Sequence, residues 1–193
     1  MILCNGGMFI HIPKCAGTSI RAALFTAAPC QMVCHVNDPK KDLRKRPNTY
    51  NPHLAPGRAV STFGMDALES FYTFTFVRNP WERFVSWYNC KLPNNEYRPS
   101  FNSFLRQLIC NEGNSQYRFF RQPDLYDFVG TVERLEEGWD VVCQELSLPS
   151  TQLKKLSASA QADYIDYYDN DLIEMVHEYE SYIIDRFNYQ FGE

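Results

Sequence analysis

Two short runs hold the residues whose types and spacing suit anion chemistry. The first is Pro13–Ser19 (PKCAGTS), with Lys14, a small pair Ala16 and Gly17, and the hydroxyls Thr18 and Ser19. It lies between an apolar stretch, Met8–Ile12, and a helix-favouring one, Thr18–Ala27. Strand, tight loop and helix in that order leave backbone N–H groups at a helix start, where phosphate or sulfate binds. This is not a Walker A loop, because Lys14 precedes Gly17 instead of following it. The second run is Val77–Ser86 (VRNPWERFVS). Arg78 leaves a strand, and Ser86 follows about two helical turns later. An arginine fork suits phosphate oxygens. Taken singly, the first run also reads as an ordinary strand–helix turn, and the second as a helix with a surface arginine.

Other reactive side chains are dispersed. There are four histidines: His11 within the first apolar stretch, His35, His53 and His177. The seven cysteines are Cys4, Cys15, Cys30, Cys34, Cys90, Cys110 and Cys143. Their odd number and scattered spacing point to reduced thiols and a cytoplasmic setting; a secreted chain with one unpaired thiol is the other reading. Cys30, Cys34 and His35 lack a second ligand pair, so no metal site is expected. Cys15 and Arg21 have the Cys-x5-Arg spacing of a Cys-dependent phosphatase, in which a helix N-terminus would favour a thiolate. Lys14 stands where such enzymes have histidine, and Ala22 where they have a hydroxyl, which weighs against that reading.

The elements that must position these runs follow from periodicity. Phe71–Val77 (FYTFTFV) is the best strand by residue type. Pro80 suits a helix's first turn, and Trp81–Leu92 continues it. Gln31–Val36 and Phe128–Val132 read as further strands. Helices are expected at Thr18–Ala27 (with Thr18 or Ser19 as cap), Arg58–Phe63, Phe101–Cys110, Leu135–Leu146 and Asp169–Phe187, with Gly64 ending the second. Asn37–Pro56 is a proline-rich loop holding the basic run Lys40–Arg46, either a functional lid or solvated surface. Ser150–Ala162 is polar and irregular. Strands alternating with helices predict an α/β fold of three layers around a central parallel sheet.

The 193 residues fit a single domain, 1–193, that can bury a core without staples. Hydrophobic residues make up 45% and aromatic residues 15%, which excludes a disordered chain. The net charge of −4 argues against nucleic acid as a partner, so an anionic ligand must be held by local basic groups. No apolar stretch is long enough to span a bilayer.

Together the two runs resemble signatures of sulfotransferases that use 3′-phosphoadenosine 5′-phosphosulfate (PAPS). IPKCAGTS resembles the loop that holds the phosphosulfate, and FTFVRNPWERFVSWY the segment that holds the 3′-phosphate. The match is nearest to carbohydrate sulfotransferases of the heparan 2-O and chondroitin/dermatan type and their bacterial relatives. DFVGTVERLEEGWDVVCQEL and YIDYYDNDLIEMVHEYESYIIDRFNYQF resemble that branch's later blocks, so the likeness covers most of the chain.

The resemblance implies a P-loop-NTPase-like topology and an in-line sulfuryl transfer to a hydroxyl acceptor, a sugar or polysaccharide, with PAP as product and no metal. Pro13, Lys14, Cys15, Ala16, Gly17, Thr18 and Ser19 would form the donor loop. Within it Lys14 would contact the bridging oxygen of the bond that breaks, while Gly17, Thr18 and Ser19 would cradle the 5′-phosphate. Arg78 and Ser86 would hold the 3′-phosphate. His53 would be the base, as the branch has a histidine ahead of a short helix there; His35 is the second candidate. A non-catalytic PAP- or PAPS-binding module would carry the same two runs. Cys15 and Ala16 depart from the threonine and glycine usual in the loop. The Asn-x-Ser pattern expected after Leu148 is missing, with Lys154 and Lys155 nearby as possible substitutes.

Overall fold

The computed structural model describes residues 1–32, 53, 55–91, 98–149, 151–153 and 164–192. The basic run Lys40–Arg46, His35, Lys154 and Lys155 lie outside the described residues, as does most of Asn37–Pro56 and Ser150–Ala162.

Among the described residues the sheet has five strands: β1 (Ile2–Cys4), β2 (Gly7–Phe9), β3 (Cys30–Met32), β4 (Tyr72–Val77) and β5 (Phe128–Thr131), in the order β3-β1-β2-β4-β5. β2–β4 and β4–β5 pair parallel, whereas β1 is antiparallel to both β2 and β3. Four strands therefore run one way and β1 alone runs against them. This corrects the all-parallel expectation. Its cause is local: Asn5 and Gly6 both take positive φ, 47° and 80°, and Asn-Gly is the favoured two-residue hairpin turn. The chain thus makes a β1–β2 hairpin before the expected first strand, and β2 ends at Phe9 instead of Ile12. The ladder still extends one residue, as Ile10 N donates to the Phe74 carbonyl at 2.9 Å and Thr75 Oγ1 to the Ile10 carbonyl at 2.7 Å.

Strand residues alternate between two cores. Ile2, Phe9, Phe74 and Phe76 pack with Ile20 and Leu24 of α1 (Gly17–Ala27) and with Trp139 and Val142 of α6 (Leu135–Glu145). Met8, Ile10 and Val77 face the other side. There they meet Leu68 of α3 (Met65–Glu69), which follows α2 (Pro56–Phe63), and Ile183 of α8 (Ser181–Phe187), with Phe119 and Phe120 from a 3-10 turn, Gln116–Phe120. Helices on both faces fit the expected three layers. A third cluster joins α4 (Pro80–Lys91), α5 (Phe101–Ile109) and α7 (Asn170–Tyr179).

Two further expectations are corrected. The single helix Asp169–Phe187 is two helices, α7 and α8, broken at Glu180, where φ is −115° and ψ 19°. The break turns Glu180 inward to a fully buried carboxylate site. The cysteines are not all free thiols: Cys4 and Cys30 stand opposite each other in the β1–β3 register, Cα atoms 4.4 Å apart, and are joined as a disulfide. Cys15, Cys90, Cys110 and Cys143 are free.

Candidate active site

The first run starts just beyond β2. Lys14 and Ala16 both adopt left-handed backbone conformations, φ 68° and 54°, which side chains rarely take. Ala16 is the residue that caps α1, and the cap carries no side-chain hydrogen bond. The expected hydroxyl cap by Thr18 or Ser19 is therefore replaced by backbone geometry, with Ser19 N and Ile20 N both bonding the Ala16 carbonyl. Thr18 is exposed at the first turn and Ser19 is buried. Gly17 is required for a packing reason: a Cβ there would fall on the imidazole of His11.

That imidazole is buried, and its Nδ1 has no hydrogen-bond partner among the described residues. Burial, with His53 and the nearby positive charges, holds its pKa well below the usual histidine range. His53 reaches the same place across the chain. Its Nδ1 bonds the His11 carbonyl at 2.9 Å, and its pKa is lowered, first by burial and against the pull of that hydrogen bond. His53 is therefore neutral at pH 7, the state a general base needs. His177 lies exposed on α7, in the helical cluster away from this place.

The second run leaves β4. Asn79 caps α4 through its Oδ1, which accepts from Trp81 N at 3.0 Å and Glu82 N at 3.4 Å, and Pro80 follows it as first helical residue. Glu133, just after β5, accepts from Asn79 N at 2.7 Å and from the Tyr189 hydroxyl at 3.0 Å, so the chain's later segments fasten this turn. Arg78, Glu82 and Ser86 recur at intervals of four, the spacing of one helix stripe. The Arg78 guanidinium bonds Glu82 through Nε at 3.1 Å and Nη2 at 3.0 Å. Ser86 is buried.

Three residues given no role by their positions in the sequence bring the two runs together. Gln116 is fully buried on its 3-10 turn. Its Oε1 accepts from Arg78 N at 3.1 Å and from Cys15 Sγ at 3.3 Å, and its Nε2 donates to the Arg78 carbonyl at 3.0 Å. Arg83, also fully buried, donates to the Pro13 carbonyl at 3.0 Å, to the Asn114 carbonyl at 2.7 Å and to Glu180 at 2.9 Å. Glu180 further accepts from Ser115 Oγ at 3.0 Å and from Gln116 N at 3.0 and 3.1 Å. Burial pushes the Glu180 carboxyl up, against Arg83 and these hydrogen bonds. A charge on the apolar stripe Leu172, Val176, Ile183 was the available signal for Glu180; nothing in the sequence marks Gln116.

Cys15 does not fit a nucleophile. It is 1% exposed, and burial pushes its thiol up to about 12, leaving almost no thiolate at neutral pH. This removes the physical basis of the phosphatase reading. Among the described residues no group of histidine, cysteine and carboxylate side chains could hold a metal, and no helix is long and apolar enough to cross a membrane.

A strand–loop–helix unit thus stands beside a second strand–arginine–helix unit on one mixed α/β sheet. A model described as the sulfotransferase family matches residues 6–190, and the chain belongs to that family. Membership implies a sulfuryl donor and a hydroxyl acceptor. No curated protein and no solved structure matches the chain.

Proposed function

We propose that the chain is one sulfotransferase domain, 1–193, of P-loop-like topology, which transfers a sulfuryl group from PAPS to a carbohydrate hydroxyl. The observation that carries this reading is the joining of the two runs: Pro13 and Cys15 on one side and Arg78 on the other are hydrogen-bonded to one buried set, Arg83 and Gln116. A donor with phosphates at both 5′ and 3′ positions matches two cradles held side by side.

In this reading the backbone and hydroxyls of Gly17, Thr18 and Ser19 bind the 5′-phosphate, and Arg78 and Ser86 the 3′-phosphate. The acceptor oxygen attacks sulfur in line, and the bond from sulfur to the bridging oxygen breaks. Lys14 meets the charge that grows on the departing 5′-phosphate, and PAP leaves. The acceptor proton passes to Nε2 of His53, since its Nδ1–H is committed to the His11 carbonyl. Positioning and charge stabilisation account for the acceleration, as in phosphoryl transfer. The branch assignment rests on the later sequence blocks. A cytoplasmic setting rests on the free thiols Cys15, Cys90, Cys110 and Cys143 among the described residues; the Cys4–Cys30 bond argues for an oxidising one, and counting thiols after blocking at lysis decides between them.

The test is transfer of label from PAPS to a panel of oligosaccharides. Transfer by the natural chain, lost in Lys14→Ala and Arg78→Ala, is expected. PAP binding without transfer to any acceptor would leave a binding module instead.

A further inference from the structure

We propose that Gln116, braced by the Arg83–Glu180 pair, is a positioning residue that sets the spacing between the two phosphate-binding runs, and so sets the preference for a nucleotide phosphorylated at both 3′ and 5′ positions. The inference rests on the donor assignment above and adds to it what makes the two cradles act as one.

The geometry is specific. One carboxamide holds the Arg78 peptide on both sides, through its N–H and its carbonyl, and the same oxygen takes the Cys15 thiol. Gln116 therefore touches the first run and the second with one rigid group. Its own backbone is fixed by both Glu180 oxygens. Glu180 in turn orients Arg83, which grips the Pro13 carbonyl at the mouth of the first run. Arg83 lies on α4, the helix that carries Ser86 and begins after Arg78. Its ties to the two runs end on backbone or on Cys15, so the network fixes where the Arg78 Cα stands without engaging the guanidinium, which bonds Glu82.

The functional consequence is a matter of effective concentration. A ligand engaging both cradles gains from the second only if the spacing matches, whereas a ligand engaging one cradle is indifferent to it. 5′-AMP engages only the first run, and PAP engages both. Loosening the spacing should therefore weaken PAP and spare AMP. A residue that merely holds up the fold would weaken both or neither.

The experiment is equilibrium binding of PAP and of 5′-AMP to the full chain and to Gln116→Met, Cys15→Ala and Cys15→Ser, with thermal unfolding run alongside. The natural chain is expected to prefer PAP. Gln116→Met should lose that preference by about tenfold while AMP affinity stays within about twofold. Cys15→Ala, which leaves the Gln116–Arg78 bonds whole, should lose part of it, and Cys15→Ser, which keeps a donor toward Gln116, should regain it. If Gln116→Met does not fold, the two Cys15 variants decide: equal preference in both overturns the proposal. Retained preference in a folded Gln116→Met overturns it also, with the donor assignment intact. A natural chain that does not distinguish PAP from AMP overturns the donor assignment, and this inference with it.

Discussion

His53 and His11 meet twice: the Nδ1–H of His53 is bonded to the His11 carbonyl at 2.9 Å, and the two imidazoles stand edge to face with centroids 4.3 Å apart. A backbone carbonyl on Nδ1 selects the tautomer with its lone pair on Nε2 and sets the ring's angle. His53→Ala should lower kcat by about 10² to 10⁴ while PAP affinity holds. Because the His53 pKa is lowered, the acid limb of the rate should be centred below about 6.5. An acid limb centred above that value in a kcat profile would remove His53 as the base.

His11 makes stability depend on pH. Its folded pKa lies well below the unfolded value, so the unfolded chain binds the proton first. Stability is complete above about 6.5 and is lost as pH falls from there toward the folded pKa, at up to about 1.4 kcal/mol per pH unit. His53 adds in the same direction. Thermal unfolding between pH 8 and pH 5 should show the decline, and His11→Gln should flatten it; an unchanged slope would contradict this account.

The Arg78–Glu82 pair sets a competition. On the proposed donor assignment, a 3′-phosphate drawn to Arg78 must displace, or sit beside, the Glu82 carboxylate. Both side chains are partly open to solvent, which keeps the effect small. Glu82→Gln should tighten PAP by about two- to fivefold and leave 5′-AMP unchanged, an effect fading at high salt. Calorimetric titration at two ionic strengths checks it.

Ala16 takes a left-handed φ of 54°, which glycine adopts without penalty. Ala16→Gly should therefore raise stability by about 1 kcal/mol, or roughly 2–4 °C in Tm, despite glycine's greater freedom in the unfolded chain. Differential scanning calorimetry measures it; a lower Tm would mean the loop carries no such strain.

Legibility in the sequence followed the range of the interactions. β4 and α4 could be read because their signals are local: alternating aromatics, then Asn-Pro at a helix start. The strand–loop–helix course of the Pro13–Ser19 and Val77–Ser86 runs could be read for the same reason. β1 was missed because three residues carry too little pattern, although Asn5-Gly6 marked the turn that makes it a hairpin partner. Periodicity runs unbroken through Tyr179–Ile183, so the sequence offers one helix; the break comes from a carboxylate committed to Arg83, ninety-seven residues away in sequence. The hydroxyl cap failed because loop geometry at Ala16 left no place for one. Cysteine pairing was hidden because it depends on the β1–β3 register, not on spacing. Gln116 carries no sequence signal because its role exists only where three distant segments meet.

The bond between Cys4 and Cys30 closes a covalent ring that takes in the Asn5-Gly6 turn, β2, the Pro13–Ser19 loop and α1. Inside that ring the loop is attached to the sheet edge by two chain paths, one through β2 and one through α1 and β3. A single protease cut within it would open the ring without releasing either end. The Pro13–Ser19 loop is thus guarded against loss by one nick.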